Sequence, residues 1–105
     1  MGTETENNDI SPEERASNVC RGILRAIRAR QDRHEAEGTG TDSEEENLAG
    51  QECGILEIRS YLNESHSLAK SLEIAAAELP NYGHRPASFL EGYKAALAEI
   101  EALKN

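Results

Sequence analysis

At 105 residues, 37% hydrophobic and without tryptophan, the chain has material for one small domain with a modest core of leucine, isoleucine and alanine. Its formal net charge of −9 disfavours general affinity for nucleic acid, whose phosphates most of the surface would repel. No stretch approaches the roughly 20 consecutive apolar residues of a membrane-spanning helix.

The charge is sorted along the chain. Residues 15–33 hold six arginines (Arg15, Arg21, Arg25, Arg28, Arg30, Arg33) and one acid, Asp32, a local charge of +5. Residues 1–14 before them carry −5 and residues 34–57 after them carry −8. A guanidinium fork grips a carboxylate or a phosphate through two parallel bonds, which an ammonium does not. A basic helix held between acidic segments is suited to ionic contact with its own flanks or with a partner.

Residues 1–10 are polar and acidic, and we expect a mobile tail there. They lack the basic start and apolar run of a secretion signal, so a cytoplasmic location is expected. Ser11-Pro12-Glu13-Glu14 then reads as a helix start. Serine caps, proline suits the first helical position, and Glu14 completes a capping box. Ala16, Val19, Cys20, Ile23, Leu24 and Ile27 recur on one face, with Arg21, Arg25 and Arg28 at i, i+4, i+7 nearly opposite. Helix 1 is predicted over residues 12–35, with Gly22 marking a close helix contact.

Gly38-Thr39-Gly40-Thr41 signals a connection. The run Asp42-Ser43-Glu44-Glu45-Glu46 after it reads either as an acidic loop or as the capped first turn of the next helix, and we take 36–46 as a flexible acidic linker. Leu48, Ile55, Leu62, Ala69 and Ala76 follow at intervals of seven, with Ile58, Leu72 and Leu79 as companions. That pattern predicts one long helix 2 over residues 47–79, with Gln51 and Ser65 as polar interruptions and Gly50 and Gly54 loosening its first turns. Pro80-Asn81-Tyr82-Gly83-His84-Arg85-Pro86 ends it, and Ser88 with Glu91 offers a second capping box. Phe89, Leu90, Tyr93, Ala96, Leu97, Ile100 and Leu103 give helix 3 an apolar face over residues 87–104. The expected fold is all-α: a small helical bundle spanning residues 11–105, with an antiparallel helix 2/helix 3 hairpin and helix 1 packed on it, from its own chain or a neighbour's.

No catalytic pattern stands out. His34, His66 and His84 are far apart and none has a metal-ligand partner at helical spacing, so neither a metal nor a cofactor is expected. Cys20 and Cys53 lie on separate helices without zinc or redox spacing and read as idle thiols. The chain is therefore expected not to be an enzyme. Its foremost candidate surfaces are the arginines Arg21, Arg25 and Arg28, for an acidic protein or a phosphate-bearing ligand, and the acidic run Glu44, Glu45 and Glu46. Either would serve protein–protein interaction, as in an inhibitor or adaptor of a larger complex. A second reading places an anionic nucleotide or cyclic dinucleotide against Tyr82, His84, Arg85 and Tyr93 in an oligomer. A third is assembly into a homo-oligomer through the sevenfold seam of helix 2.

The stretch carrying Ile58-Arg59, Leu68-Ala69, Pro80 and Leu90-Glu91-Gly92-Tyr93 resembles small phage-encoded helical proteins that counter bacterial defence, including cyclic-nucleotide sponges. Its spacings depart from theirs by about a helical turn, so the resemblance carries over neither site residues nor fold.

Overall fold

The computed structural model describes residues 10–104, so the expected tail lies, through residue 9, outside the described residues. Four α-helices follow one another: α1 (Pro12–Glu37), α2 (Asp42–Asn63), α3 (Leu68–Glu78) and α4 (Ala87–Glu101). A 3-10 turn, Leu79–Tyr82, follows α3, and another, Ala102–Lys104, follows α4. The helices pack on one another as a small all-α bundle, and no strand occurs among the described residues.

α1 begins where its sequence implies, with Ser11 Oγ accepting the Glu14 N–H at 3.0 Å and Pro12 in the first turn, but the Glu14 carboxylate does not return a bond to the Ser11 N–H, so only half of the expected capping box forms. It ends at Gly38, whose φ of +65° is the left-handed conformation that glycine adopts without strain. The expected flexible linker over 36–46 shrinks to Gly38–Thr41. Thr41 and Glu44 form a reciprocal capping box, each accepting from the other's backbone N–H at 3.2 Å, and this box recruits Asp42–Glu46 into α2. The short turn folds α2 back along α1, so Arg28 meets Glu52 and His34 Nδ1 lies 2.9 Å from Glu45 Oε1. Helix 1 thus packs on its own chain.

The long helix 2 expected over 47–79 is two helices. Its break is a Schellman motif: Ser65 N–H donates to Leu62 O at 3.0 Å and His66 N–H to Tyr61 O at 3.2 Å. Ser65 takes the left-handed position at φ +74°, a place usually given to glycine. Ser67 then caps α3 through the Lys70 N–H at 3.1 Å. From α1, Glu13 accepts the Leu68 N–H at 2.9 Å, satisfying a second orphan donor at that end. The break changes which residues are inside. Leu48, Ile55, Ile58 and Leu62 remain buried, but in α3 Leu68, Ser71, Leu72 and Ala75 are buried while Ala69 and Ala76 face outward. No continuous seam therefore runs through the two helices.

The antiparallel hairpin across the Pro80–Pro86 connection is made by α3 and α4, tied by the Tyr93 hydroxyl donating to Ala75 O at 2.8 Å. α2 runs parallel to α4. Asn47 Nδ2 donates to Ser88 O at 3.1 Å, Gly50 faces Phe89 and Tyr93, and Gly54 faces Tyr93 and Ala96. The Gly50-x-x-x-Gly54 and Gly92-x-x-x-Ala96 spacings put small residues along both sides of this contact, so the two backbones meet directly. Gly50 and Gly54 are therefore contact residues, not loosened first turns. Gly22 is the reverse: a side chain there would meet nothing within 4 Å, so it marks no helix contact. The second capping box is absent too. Pro86 occupies the cap of α4 without a side-chain bond, and its carbonyl takes the Phe89 and Leu90 N–H groups at 3.0 and 3.2 Å.

Candidate functional site: an arginine cleft between α1 and α2

Antiparallel packing of α1 on α2 sets the register of the basic face. Arg28 Nε lies 3.5 Å from Glu52 Oε2, an exposed pair worth about 0–1 kcal/mol. Seven residues back along α1 stands Arg21, and seven residues on along α2 stands Arg59. The two helices run in opposite directions, so this register places Arg21 and Arg59 at the same level along the pair. Arg21, Arg25, Arg28 and Arg59 line a single cleft of about 480 Å³ with Asp32, over a floor that includes Leu24. Arg21 also donates to Asn18 one turn earlier. Arg59 is half-buried, and its Nε has no partner among the described residues. The expected trio is therefore a quartet. Arg59 was hidden in sequence because it stands alone beside Ile58, and only the α1–α2 register joins it to the others.

The basic row splits further along α1. Arg30 and Arg33 line a different cleft, with His34, Glu44, Asn47 and Glu91. The acidic run is spent locally. Glu44 closes the capping box, Glu45 meets His34, and Glu46 has a carboxylate oxygen buried without a partner among the described residues. The three carboxylates do not form one free row.

Cys20, one turn before Leu24 on α1, is fully buried. Burial disfavours the thiolate and pushes this thiol up to about 11, against the pull of the Arg59 guanidinium. Cys53 on α2 is half-exposed. Iodoacetamide at pH 8 should therefore label the native protein once, at Cys53, and the denatured protein twice. Intact-mass spectrometry reads this directly, and rapid double labelling of native protein would contradict the burial of Cys20.

The second candidate set gathers only in part. Tyr82, His84 and Arg85 line a groove of about 510 Å³ with Cys53, Leu56, Glu52, Glu57 and Phe89. Arg85 stacks over the Phe89 ring at 4.3 Å, and Tyr82 leans on Phe89 and Tyr93 with ring centroids 5.7 and 5.2 Å away. Contact with the Cys53 thiol, together with burial, pushes the Tyr82 phenol upward. Glu57 is raised above the usual carboxylate range by burial and by the nearby Glu78. Tyr93 is not at the groove's surface. It is fully buried, and its hydroxyl is committed to Ala75. An anion entering here meets Arg85 and His84 at the rim but Glu52 and Glu57 along the wall.

Among the described residues no three histidine, cysteine or carboxylate side chains come together as a metal site, and no helix is long and apolar enough to cross a membrane. No protein-family model matches the chain, and neither a curated protein nor a solved structure matches it.

Proposed function

We propose that this protein is a non-enzymatic interaction module that captures an acidic segment of another protein on the arginine face of α1 and α2. The observation that carries this reading is the convergence of Arg59 with Arg21, Arg25 and Arg28 on one open cleft. Structural ion pairing alone does not call for such a cluster, because like charges brought together weaken the fold. It becomes favourable when an anionic partner supplies the counter-charge. The net charge of −9 over the whole chain favours a local contact on this face over nonspecific binding to polyanions.

The test is a reversal of Arg21, Arg25 and Arg28 to glutamate, read by fluorescence anisotropy with a labelled glutamate-rich peptide. The unaltered protein should bind, more weakly as salt rises, and the triple variant should lose binding while its circular-dichroism spectrum is unchanged. Equal binding by the triple variant would exclude this surface. The competing reading, a nucleotide at Tyr82, His84 and Arg85, has the Arg85–Phe89 stack in its favour and the Glu57 wall against it. Calorimetric titration with nucleotides and cyclic dinucleotides discriminates the two. Heat that depends on Arg85 would favour the groove.

A further inference from the structure

We infer that the arginine cleft is a phosphomonoester site, and that the acidic segment it captures carries a phosphorylated side chain. This rests on the reading above and specifies its chemistry. The four guanidinium charges of Arg21, Arg25, Arg28 and Arg59 are answered by two carboxylates, Asp32 in the cleft and Glu52 on Arg28. Two positive charges are left over. A glutamate side chain returns one negative charge, whereas a phosphomonoester brings about −1.5 to −2 at pH 7 and three strong acceptor oxygens. The dianion therefore matches the cleft in charge, and its oxygens suit guanidinium groups arriving from two helices.

Arg59 separates this site from an ordinary basic helix face. The α1 arginines project from one exposed helix, and such a row takes carboxylates at helical spacing. Arg59 comes from α2, is half-buried, and has its Nε withdrawn from solvent without a partner among the described residues. Burial limits the freedom of its side chain, so less entropy is lost when an anion is gripped. A guanidinium held on the opposite wall turns a row into a clamp. A clamp favours a compact, multiply charged group over a run of single carboxylates.

The experiment uses the full chain and three fluorescein-labelled acidic peptides, identical except for phosphoserine, glutamate or serine at the central position. Anisotropy at low salt should show the phosphoserine peptide binding at least about tenfold tighter than the glutamate peptide, with serine weakest. Arg59→Gln should weaken both charged peptides and erase the phosphoserine advantage, so that phosphoserine and glutamate peptides bind alike. Arg25→Gln, on the exposed face of α1 and thus free of any folding effect, should reduce the advantage as well. Equal affinity for phosphoserine and glutamate overturns the phosphoryl assignment and leaves the acidic-partner reading standing. No binding of any peptide overturns both. Inorganic phosphate that binds as tightly as the phosphopeptide would show a site for the free anion, and would overturn the assignment to a protein partner.

Discussion

Gly50→Ala is expected to lower the melting temperature by about 8–16 °C, even though alanine is the better helix former. The added methyl would fall well inside contact distance of the Phe89 carbonyl, a backbone atom that no rotamer change moves aside. Relief requires α2 and α4 to separate, and such overpacking costs about 3 kcal/mol. The gain in helix propensity is about 1 kcal/mol, so strain wins. Gly22→Ala is the matched control: the same substitution in open space should raise stability by about 1 kcal/mol. Gly92→Ala, whose methyl would strike the Asn47 carbonyl across the same contact, should add little to Gly50→Ala once the helices have parted. Thermal melts of the three single variants and the double variant read all of this. A Gly50→Ala protein as stable as the parent would refute the direct backbone contact.

Tyr93 supplies the second large effect. It heads the largest fully buried side chains, and its hydroxyl serves Ala75, one of the last four carbonyls of α3, which lack a partner within their own helix. Tyr93→Phe should cost about 1–3 kcal/mol, because the buried carbonyl is left without its donor. Tyr93→Ala should cost about 3–5 kcal/mol by opening a cavity at the α3–α4 contact. Denaturant titration distinguishes the two. A Tyr93→Phe variant with parental stability would show that the Ala75 carbonyl finds another donor. Neither substitution is expected to alter anion capture at the arginine cleft, which lies on the α1 side of α2.

The all-α class was legible because apolar residues recur with helical period in each segment, and the start of α1 was legible because Ser11 is a strong cap, whereas its end runs past the expected residue 35 to the left-handed Gly38. The break inside the predicted helix 2 was hidden. Its sole sequence trace is the polar run Asn63-Glu64-Ser65-His66-Ser67, which holds neither glycine nor proline. The sevenfold spacing happens to continue across it through Ala69 and Ala76, residues small enough to sit outside without exposing much apolar surface. Glycine misled in both directions, since Gly22 and Gly50 look alike in sequence and only the path of α4 tells them apart. At the candidate site, Arg21, Arg25 and Arg28 could be read from one helix. Arg59 could not, because its role depends on the register between two helices. Tyr93 carries two signals in sequence, the apolar face of the last helix and the recognition-type loop before it, and the structure gives it wholly to the core.

The parallel α2–α4 contact also bears on how the chain reaches this structure. Asn47 and Ser88, which meet there, are separated by 41 residues, whereas the α1–α2 and α3–α4 pairs are joined by short turns. Closing the longer loop demands more chain entropy, so the two local hairpins form before the glycine faces dock. Docking meets the larger loop-closure entropy, so it is expected to coincide with the rate-limiting barrier. A Gly50→Ala chain is therefore expected to cross that barrier more slowly than the parent, as well as to escape faster from the finished state.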